Sequence, residues 1–377
     1  MKIGIFIKDF AVGNRFTKTG LPVKSGAEFH AENQAQQLLS LGHQVFIMAK
    51  KRLFRTKGRE TLAGVDLVRL HAPVRFLEIL LRLISTHKNT DAIYIFGVPT
   101  FAVWAVLWAK MWGKPTTLVL TSITEAIDPK KNWRNKILCS CDKYIANSQQ
   151  MYQGMQNIMQ VPANKIVLLP HGIDIKRFYP LAKIEKARVR QQLNLPIERK
   201  IVLFTSRVVL NKGVDTLQKL WQLVYKRDPK ALLIVVGGGH EYLLQELKTL
   251  GEKLNGSIRV FGEVDDTTPW YQMADAYIFP SRFEGLPTSL MEAIATGLPC
   301  VVSDIGGCQD LIQEGINGYL VHPENPELMA ERLLDILADE ELTLKLSTAG
   351  VEFAQERLDS NKLKYTLEKI ILETEVD

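Results

Sequence analysis

Short apolar runs alternate with amphipathic stretches along the first half of the chain. Residues 2–7 form an apolar run, residues 27–41 carry a helical pattern that ends before Gly42, and residues 44–49 form a second apolar run. A strand, a helix and a second strand in this order make a βαβ unit, whose first loop lies at the carboxyl edge of the sheet. Further apolar runs lie at residues 92–96, 116–120, 143–146 and 166–169. The pattern predicts a doubly wound α/β domain over residues 1–175.

The second half of the chain repeats this alternation with its own apolar runs. They lie at residues 201–204, 232–236, 258–263, 276–279 and 317–321. Each run has the length and composition of a buried strand, and helical patterns separate them. The pattern predicts a second α/β domain over residues 176–360, followed by a helix over residues 361–372.

One helix start in the second half carries an unusual set of polar residues. It follows the strand predicted at residues 276–279, and helix-forming residues continue over residues 289–296. The helix therefore begins near Pro287, where the backbone N–H groups of the first turn are unpaired and carry partial positive charge. Leu286, Pro287 and Thr288 thus frame a place that suits an anion such as phosphate.

Two carboxylates bracket this turn, Glu284 in the loop before the helix and Glu292 about one turn inside it. Ionised carboxylates only accept hydrogen bonds, so beside an anion they must face hydroxyl groups. A ligand that combines phosphate with several hydroxyl groups, such as a nucleotide sugar, has this composition. The segment Glu284-Gly-Leu-Pro-Thr-Ser-Leu-Met-Glu292 resembles the Glu-x7-Glu signature of the retaining glycosyltransferases of family 4.

The resemblance implies roles for several residues of the second half. Arg207 and Lys212 match the family's Arg and Lys, which would stabilise the charge that grows on the leaving diphosphate. Glu284 would orient the sugar hydroxyls and completes the expected catalytic set, while Glu292 would bind the ribose hydroxyls. The expected donor-binding residues are Gly26, Gly238, Val264, Gly285, Leu286, Pro287, Thr288 and Glu292.

The resemblance also implies a GT-B fold, in which two Rossmann-like domains face each other across a cleft. The acceptor would bind to residues 1–175 and the nucleotide sugar to residues 176–360, while residues 361–377 would pack back on the first domain. The family implies transfer of a hexose-type sugar to an acceptor hydroxyl with retention of configuration, in glycolipid, lipid-linked oligosaccharide or cell-surface polysaccharide synthesis. The chain contains no Asp-x-Asp, so we expect a UDP- or GDP-sugar donor and no metal ion.

Two departures from the family pattern leave alternatives open. Gly26 lies in Lys24-Ser-Gly-Ala-Glu28, where the family usually has two glycines, so a plain surface turn is the other interpretation. Many members carry a His after the strand that corresponds to residues 116–120, whereas this chain offers Thr121 or Ser122 in its place. A nucleotide-sugar epimerase of GT-B architecture and a noncatalytic carbohydrate- or membrane-binding module therefore remain alternative functions.

Charge is distributed unevenly along the chain, whose net charge is +6. Residues 1–175 hold 23 Lys and Arg against 11 Asp and Glu, and residues 50–59 contain six basic residues and no acid. Residues 74–85 predict an amphipathic helix. These features are typical of a surface that meets anionic lipid, although a solvated loop and a helix that covers its own sheet are alternatives. The stripe of Trp104, Trp108 and Trp112 favours core packing.

The localisation follows from the same features. No apolar run approaches the length of a membrane span, and the N-terminus has no pattern of a secretory leader. The four cysteines match neither a zinc pattern nor a disulfide framework. We therefore expect a cytoplasmic protein, peripheral at the cytoplasmic face of a membrane, with a lipid-linked or anionic acceptor and no nucleic-acid partner.

Overall fold

The computed structural model describes residues 1–10, 26–50, 59–62, 64–70, 75–85 and 88–373. The chain divides into two compact units. Unit 1 comprises the chain up to His171 together with the chain from Ser360 onward, and unit 2 comprises Gly172–Asp359. Each unit is built around its own, largely parallel β-sheet.

Unit 1 contains an eight-stranded sheet with the order β3-β4-β2-β1-β5-β6-β7-β8. Its strands are β1 (Lys2–Ile7), β2 (Gln44–Lys50), β3 (Arg59–Leu62), β4 (Val65–Leu70), β5 (Ala92–Phe96), β6 (Thr116–Leu120), β7 (Lys143–Ala146) and β8 (Ile166–Leu168). Its first five helices are α1 (Gly26–Ser40), α2 (Arg75–Ile84), α3 (Val103–Met111), α4 (Trp133–Leu138) and α5 (Gln149–Asn157). Neighbouring strands are parallel except β3, which pairs antiparallel with β4.

Unit 2 contains a fully parallel six-stranded sheet with the order β11-β10-β9-β12-β13-β14. Its strands are β9 (Ile201–Thr205), β10 (Leu232–Val236), β11 (Ile258–Gly262), β12 (Ala276–Phe279), β13 (Cys300–Ser303) and β14 (Gly318–Val321). Its helices are α6 (Lys183–Gln192), α7 (Val214–Arg227), α8 (Glu241–Lys253), α9 (Thr268–Met273), α10 (Thr288–Ala295), α11 (Gly306–Gln309), α12 (Pro326–Ala338) and α13 (Glu340–Arg357). Its central strands are buried and mostly apolar, as is typical of strands covered on both faces.

The last helix, α14 (Ser360–Leu372), returns to unit 1. Leu367 and Ile371 are buried in the core that α1 also covers. At the surface of this contact, the Nε2 atom of His43 lies 2.5 Å from the Oε1 atom of Glu368. The C-terminus of the chain therefore helps to cover the sheet with which the chain begins.

The apolar pattern located most of the strands. The predicted bounds of β1, β5, β6, β7, β10 and β12 are confirmed, and the other predicted strands differ by one residue at an end. The pattern missed β13 and also missed β3 and β4. Polar residues interrupt both β3 and β4. These residues pair with each other across the two strands: Arg59 lies 2.8 Å from Asp66, and Arg69 lies 2.5 Å from Glu60.

An ion cluster around the buried guanidinium of Arg190 ties α6 and α9 to the sheet of unit 2. Asp275, just before β12, accepts a hydrogen bond from the backbone N–H of Ile201 at 2.7 Å. It also accepts hydrogen bonds from Lys186 and Arg190, each at 2.7 Å. Burial raises the pKa of Asp275, but the charges of Lys186 and Arg190 outweigh this effect and hold the pKa below its ordinary value. Arg190 also donates to the carbonyl of Met273 at 2.9 Å, which fixes the end of α9.

We expect Asp275→Ala to lower the free energy of unfolding by about 3–5 kcal/mol, because it leaves the buried guanidinium of Arg190 without its carboxylate. Urea unfolding at neutral pH measures this loss. Asp335→Ala is the control, since its carboxylate is exposed and 3.5 Å from Arg332, and it should cost less than about 1 kcal/mol. The pKa of Asp275 is lower in the folded than in the unfolded state, so its contribution is present at neutral pH and is lost as the pH falls through the folded-state value. Equal stability of the two variants would contradict the assignment.

Candidate functional site

Two loops meet at the carboxyl edge of the unit 2 sheet, one after β9 and the other after β12. Gly213 in the first loop has a φ of +70°, and a Cβ there would overlap the carbonyl of Pro280 in the second loop. Arg282 clamps the same loops, since it donates to the carbonyl of Leu210 at 2.7 Å. Its guanidinium also binds both carboxylate oxygens of Asp215, at 2.7 and 2.6 Å. The two loops therefore form one rigid platform.

Two of the predicted catalytic side chains, Lys212 and Glu284, form an ion pair on this platform. Only 14% of the Lys212 side chain and 10% of the Glu284 side chain are exposed. Ser281 donates its hydroxyl to the Oε1 atom of Glu284 at 2.7 Å, an interaction that the sequence pattern did not reveal. A cation and a carboxylate held side by side suit a ligand with both phosphate and hydroxyl groups, because the cation binds the former and the carboxylate accepts from the latter.

The helix start predicted near Pro287 lies directly after this pair. Pro287 is the N-cap of α10, and its side chain accepts no hydrogen bond from the N–H groups of the first turn. Leu286 and Pro287 are buried, whereas Gly285 and Thr288 are half-buried. A Cβ on Gly307 would overlap the carbonyl of Gly285, so the backbone of α11 closes one side of the turn. The partial positive charge of the helix start is therefore fixed next to Lys212 and Glu284.

Glu292, the second carboxylate of the signature, lies in a different environment. Burial raises its pKa to about 7, although the hydroxyl of Tyr271 and the charge of Arg177 lower it. The Tyr271 hydroxyl lies 2.6 Å from the hydroxyl of Thr205, and Arg177 lies 2.7 Å from Asp266. Both protonation states of Glu292 are therefore populated near neutral pH, and its carboxylate form accepts hydrogen bonds from hydroxyl groups. Tyr271 and Arg177 are distant in the sequence, and no spacing pattern indicated them.

The remaining predicted donor residues of unit 2 lie at the neighbouring strand ends. Arg207 follows β9, and its side chain is exposed. No described acidic residue pairs with it, so Arg207 takes no part in the ion pair of Lys212 and Glu284. Gly238 follows β10, and a Cβ there would lie 2.6 Å from the carboxylate of Glu263. Val264 is half-buried against the core. A larger residue at position 238 would displace the exposed side chain of Glu263, and nucleotide binding by Gly238 and Val264 stays a prediction.

The predicted site residues of unit 1 are less completely defined. Gly26 begins α1, but most of the proposed glycine-rich loop lies outside the described residues. Ser122 caps a 3₁₀ turn over Ile123–Glu125. Thr121 donates both its backbone N–H and its hydroxyl to Glu125, at 3.0 and 2.7 Å. Of the two residues that the sequence offers in place of the family's His, Thr121 is thus bound to a carboxylate and Ser122 caps the turn.

His171 has a structural surrounding in unit 1. It is buried, and its ring centre lies 3.4 Å from that of His30 in α1. Burial lowers the pKa of both imidazoles, that of His30 to about 4. Both rings are therefore neutral at physiological pH, so two positive charges do not face each other at this short distance.

Three general features complete the description of the site. In the ranges that the structure describes, no group of three or more His, Cys, Asp or Glu side chains is arranged to hold a metal ion. No helix within those ranges is both long and apolar enough to cross a bilayer. The four cysteines are free thiols.

Two family models match the chain. Residues 24–177 match the model described as Glycosyltransferase Family 4, and residues 185–353 match the model described as Glycosyl transferases group 1. The two matches together span most of both units.

Curated relatives and solved structures agree with these models. The chain is 31% identical over 214 residues to the N,N'-diacetylbacillosaminyl-diphospho-undecaprenol alpha-1,3-N-acetylgalactosaminyltransferase of Campylobacter jejuni, with 56% of this chain and 55% of the relative covered. It is 27% identical over 231 residues to the D-inositol 3-phosphate glycosyltransferase of Xylanimonas cellulosilytica, with 59% and 54% covered. The chain thus spans about half the length of the curated relatives it matches.

Among solved structures, Anabaena HepE in complex with UDP matches with a TM-score of 0.77 and 17% identity, over 98% of this chain and 99% of that one. Identity at this level shows the fold alone, and the fold is GT-B. Because the family models match both halves of the chain and each half contains a parallel α/β sheet, the chain belongs to the GT-B glycosyltransferases of family 4.

Proposed function

We propose that the protein transfers a hexose-type sugar from a UDP- or GDP-sugar to an acceptor hydroxyl with retention of configuration. The observation that carries this proposal is the largely buried Lys212–Glu284 pair next to the start of α10. The diphosphate would bind at the helix start and to Lys212, while the sugar hydroxyls would donate to Glu284. UDP is bound to HepE, and a lipid diphosphate appears in the name of the Campylobacter relative, which supports this choice of substrates.

In this proposal Lys212 acts mainly in the transition state. The leaving diphosphate gains negative charge as the glycosidic bond breaks, and a preorganised cation stabilises that charge without reorganisation. Arg207 is exposed at the same edge and would bind the diphosphate when the donor is present. The acceptor oxygen attacks from the side of the leaving group, and its proton passes to the departing phosphate. No metal ion takes part.

Mass spectrometry of the protein incubated with a panel of UDP- and GDP-sugars tests the proposal. Release of UDP or GDP together with the free sugar identifies the donor, and proton NMR of the anomer first released reports retention or inversion. Conversion of the donor into an isomeric nucleotide sugar, which proton NMR also detects, would favour an epimerase. No turnover of any donor would favour a binding module.

We expect Lys212→Ala to lower kcat by about 10²–10³-fold, with a much smaller loss of donor affinity, because the charge that Lys212 stabilises develops only as the bond breaks. Single-turnover kinetics and isothermal titration with the active nucleotide sugar separate the two effects. Lys219→Ala in α7 is the matched control, since Lys219 is exposed. Equal losses in kcat and in affinity would mean that Lys212 only anchors the donor.

We expect nucleotide affinity to depend on the ionisation of Glu292. Its pKa of about 7 means that the carboxylate, which accepts from both ribose hydroxyls, prevails only above neutral pH. The affinity of the wild-type protein for UDP or GDP should therefore rise as the pH rises through this pKa. The affinity of Glu292→Gln should rise less steeply, because in this variant only the phosphate groups of the nucleotide still titrate. Above the pKa, Glu292→Gln should bind about 1–3 kcal/mol more weakly. Parallel pH profiles of the two proteins, measured by titration calorimetry, would refute the ribose assignment.

We also propose that unit 1 binds anionic membranes through the outer face of α2, α3 and α4. Residues 51–58 of the predicted basic cluster lie outside the described residues, and Arg59 is paired with Asp66. The helix predicted at residues 74–85 is α2, which covers its own sheet with Ile79 and Leu83.

The outer face of these helices carries a group of exposed apolar side chains, which we call the tryptophan surface. Its members are Leu81, Ile84, Met111, Trp112 and Trp133, which are between 50% and 68% exposed. The guanidinium of Arg134 lies 5.4 Å from the Trp133 ring centre, and Lys110 and Lys136 are exposed on the same helices. Tryptophan and basic residues together are typical of a membrane interface. The core packing predicted for the Trp stripe therefore holds for Trp108, which is buried, and does not hold for Trp112, which is exposed.

We expect the wild-type protein to cosediment at low salt with vesicles that contain anionic phosphatidylglycerol, and less with pure phosphatidylcholine vesicles. The double variant Trp112→Ser and Trp133→Ser should lower the bound fraction several-fold, because it removes the two largest interfacial side chains. Tyr242→Ser with Leu344→Ser, which are exposed in unit 2, is the matched control and should leave binding unchanged. Wild-type protein that stays in the supernatant would contradict the membrane proposal.

A further inference from the structure

The unit 1 sheet has a topological switch point between β1 and β5. β1 lies between β2 and β5 in the sheet and is parallel to both. After β1 the chain crosses to β2 through α1, on the face that α14 also covers, and after β5 it crosses to β6 through α3 on the opposite face. In open α/β sheets, ligands bind outside the carboxyl ends of the strands at such a point. Gly97, the first residue after β5, marks this place.

The carboxylate of Glu125 lies directly against Gly97. A Cβ on Gly97 would sit 2.8 Å from the Oε1 atom of Glu125 and 3.0 Å from its Oε2 atom. Gly97 has a φ of +66°, so any other residue would be strained as well as crowded. The bare Cα of Gly97 therefore leaves room for a carboxylate at the ligand-binding edge of the sheet.

Contacts on several sides hold Glu125 in this place. Its Oε2 atom accepts hydrogen bonds from the backbone N–H and the hydroxyl of Thr121, at 3.0 and 2.7 Å. The side chain of Ile123 presses so closely on Gly154 in α5 that a Cβ there would overlap it. The turn that carries Glu125 is thus anchored to the core, and one carboxylate oxygen is fully used.

The other oxygen of Glu125 is available for a ligand. Among the residues that the structure describes, none donates a hydrogen bond to Oε1, and no Lys, Arg or His pairs with this carboxylate. The side chain is only half-buried. A rigid, half-buried carboxylate with one open oxygen accepts hydrogen bonds from hydroxyl groups and repels phosphate.

We propose that Glu125 binds a hydroxyl group of the acceptor, and that the part of the acceptor entering the switch point of unit 1 is the uncharged hydroxyl-bearing ring of a sugar or polyol. This inference rests on the proposed function, in which unit 1 receives the acceptor. The proposal therefore places the phosphate or lipid portion of a charged acceptor outside the switch point of unit 1. An ionised carboxylate accepts hydrogen bonds and donates none, so it selects the hydroxyl groups of a ligand as its partners.

The variant Glu125→Gln tests the proposal without disturbing the turn. Its amide oxygen can still accept from Thr121, whereas an amide NH₂ replaces the open oxygen, so Tm should change by no more than about 2 °C. Glu368→Gln is the matched control, since Glu368 is a partly exposed carboxylate of the same unit that contacts His43. Saturation-transfer NMR measures binding of methyl α-D-glucopyranoside, methyl α-D-mannopyranoside and methyl α-D-galactopyranoside to each protein. Nucleotide release measures donor hydrolysis in the absence of acceptor.

We expect at least one methyl glycoside to bind the wild-type protein and the Glu368→Gln control, and to bind Glu125→Gln about 10–100-fold more weakly, with donor hydrolysis unchanged. Equal binding to Glu125→Gln and wild type would show that the carboxylate only braces its turn and would overturn the proposal. Absence of binding of every glycoside to the wild type would overturn it as well. Absence of donor hydrolysis in the wild type would instead refute the proposed function, and glycoside binding reports on Glu125 independently of that outcome.

Discussion

The site in unit 2 depends on the direct contact between two loop backbones at Gly213. A side chain at this position would push the loop after β9 away from the loop after β12, and Lys212 and Glu284 lie on these two loops. Parallel strands make such a contact possible, since their carboxyl ends come together at one edge of the sheet. Arg282 and Asp215 then prevent the loops from separating. The backbone packing thus places Lys212 and Glu284 within reach of each other, and their ion pair adds a further link between the two loops.

This arrangement explains how the ammonium group of Lys212 and the carboxylate of Glu284 can both be largely removed from water. Burial of either charge alone would cost roughly several kcal/mol. The ion pair, together with the hydrogen bond from the Ser281 hydroxyl to Glu284, offsets much of this cost. A donor substrate would exchange these partners for phosphate and sugar hydroxyls of matching charge and hydrogen-bonding type. Donor binding would then replace one set of satisfied interactions by another. The site would therefore select ligands that offer an anion to Lys212 and hydroxyl groups to Glu284 at the same time.

The two units place different charges at their carboxyl edges. Unit 2 has Lys212, the exposed Arg207 and a helix start, which favour an anion. Unit 1 has the carboxylate of Glu125 at its switch point, although the surrounding half of the chain is strongly basic. The exposed basic side chains on α3 and α4 accompany the tryptophan surface on the outer face of the helices. Net charge along the sequence therefore reports on the outer surface of unit 1, while the local turn after β6 determines the chemistry of its edge.

The sequence by itself determined the two α/β domains and the signature that carries the site. Buried parallel strands are mostly apolar, and a helix start after a strand is a local feature, so β12, α10, Glu284 and Glu292 could be located from the residues alone. Only the tertiary structure decided which side chains meet. Lys212 pairs with Glu284 across 72 positions, and Tyr271 and Arg177 approach Glu292 from other elements. Glu125 is close to Thr121 in sequence, but its contact with Gly97 depends on the pairing of β5 with β6. Such contacts leave no periodic pattern, because strand order and loop packing bring together residues that the chain keeps apart.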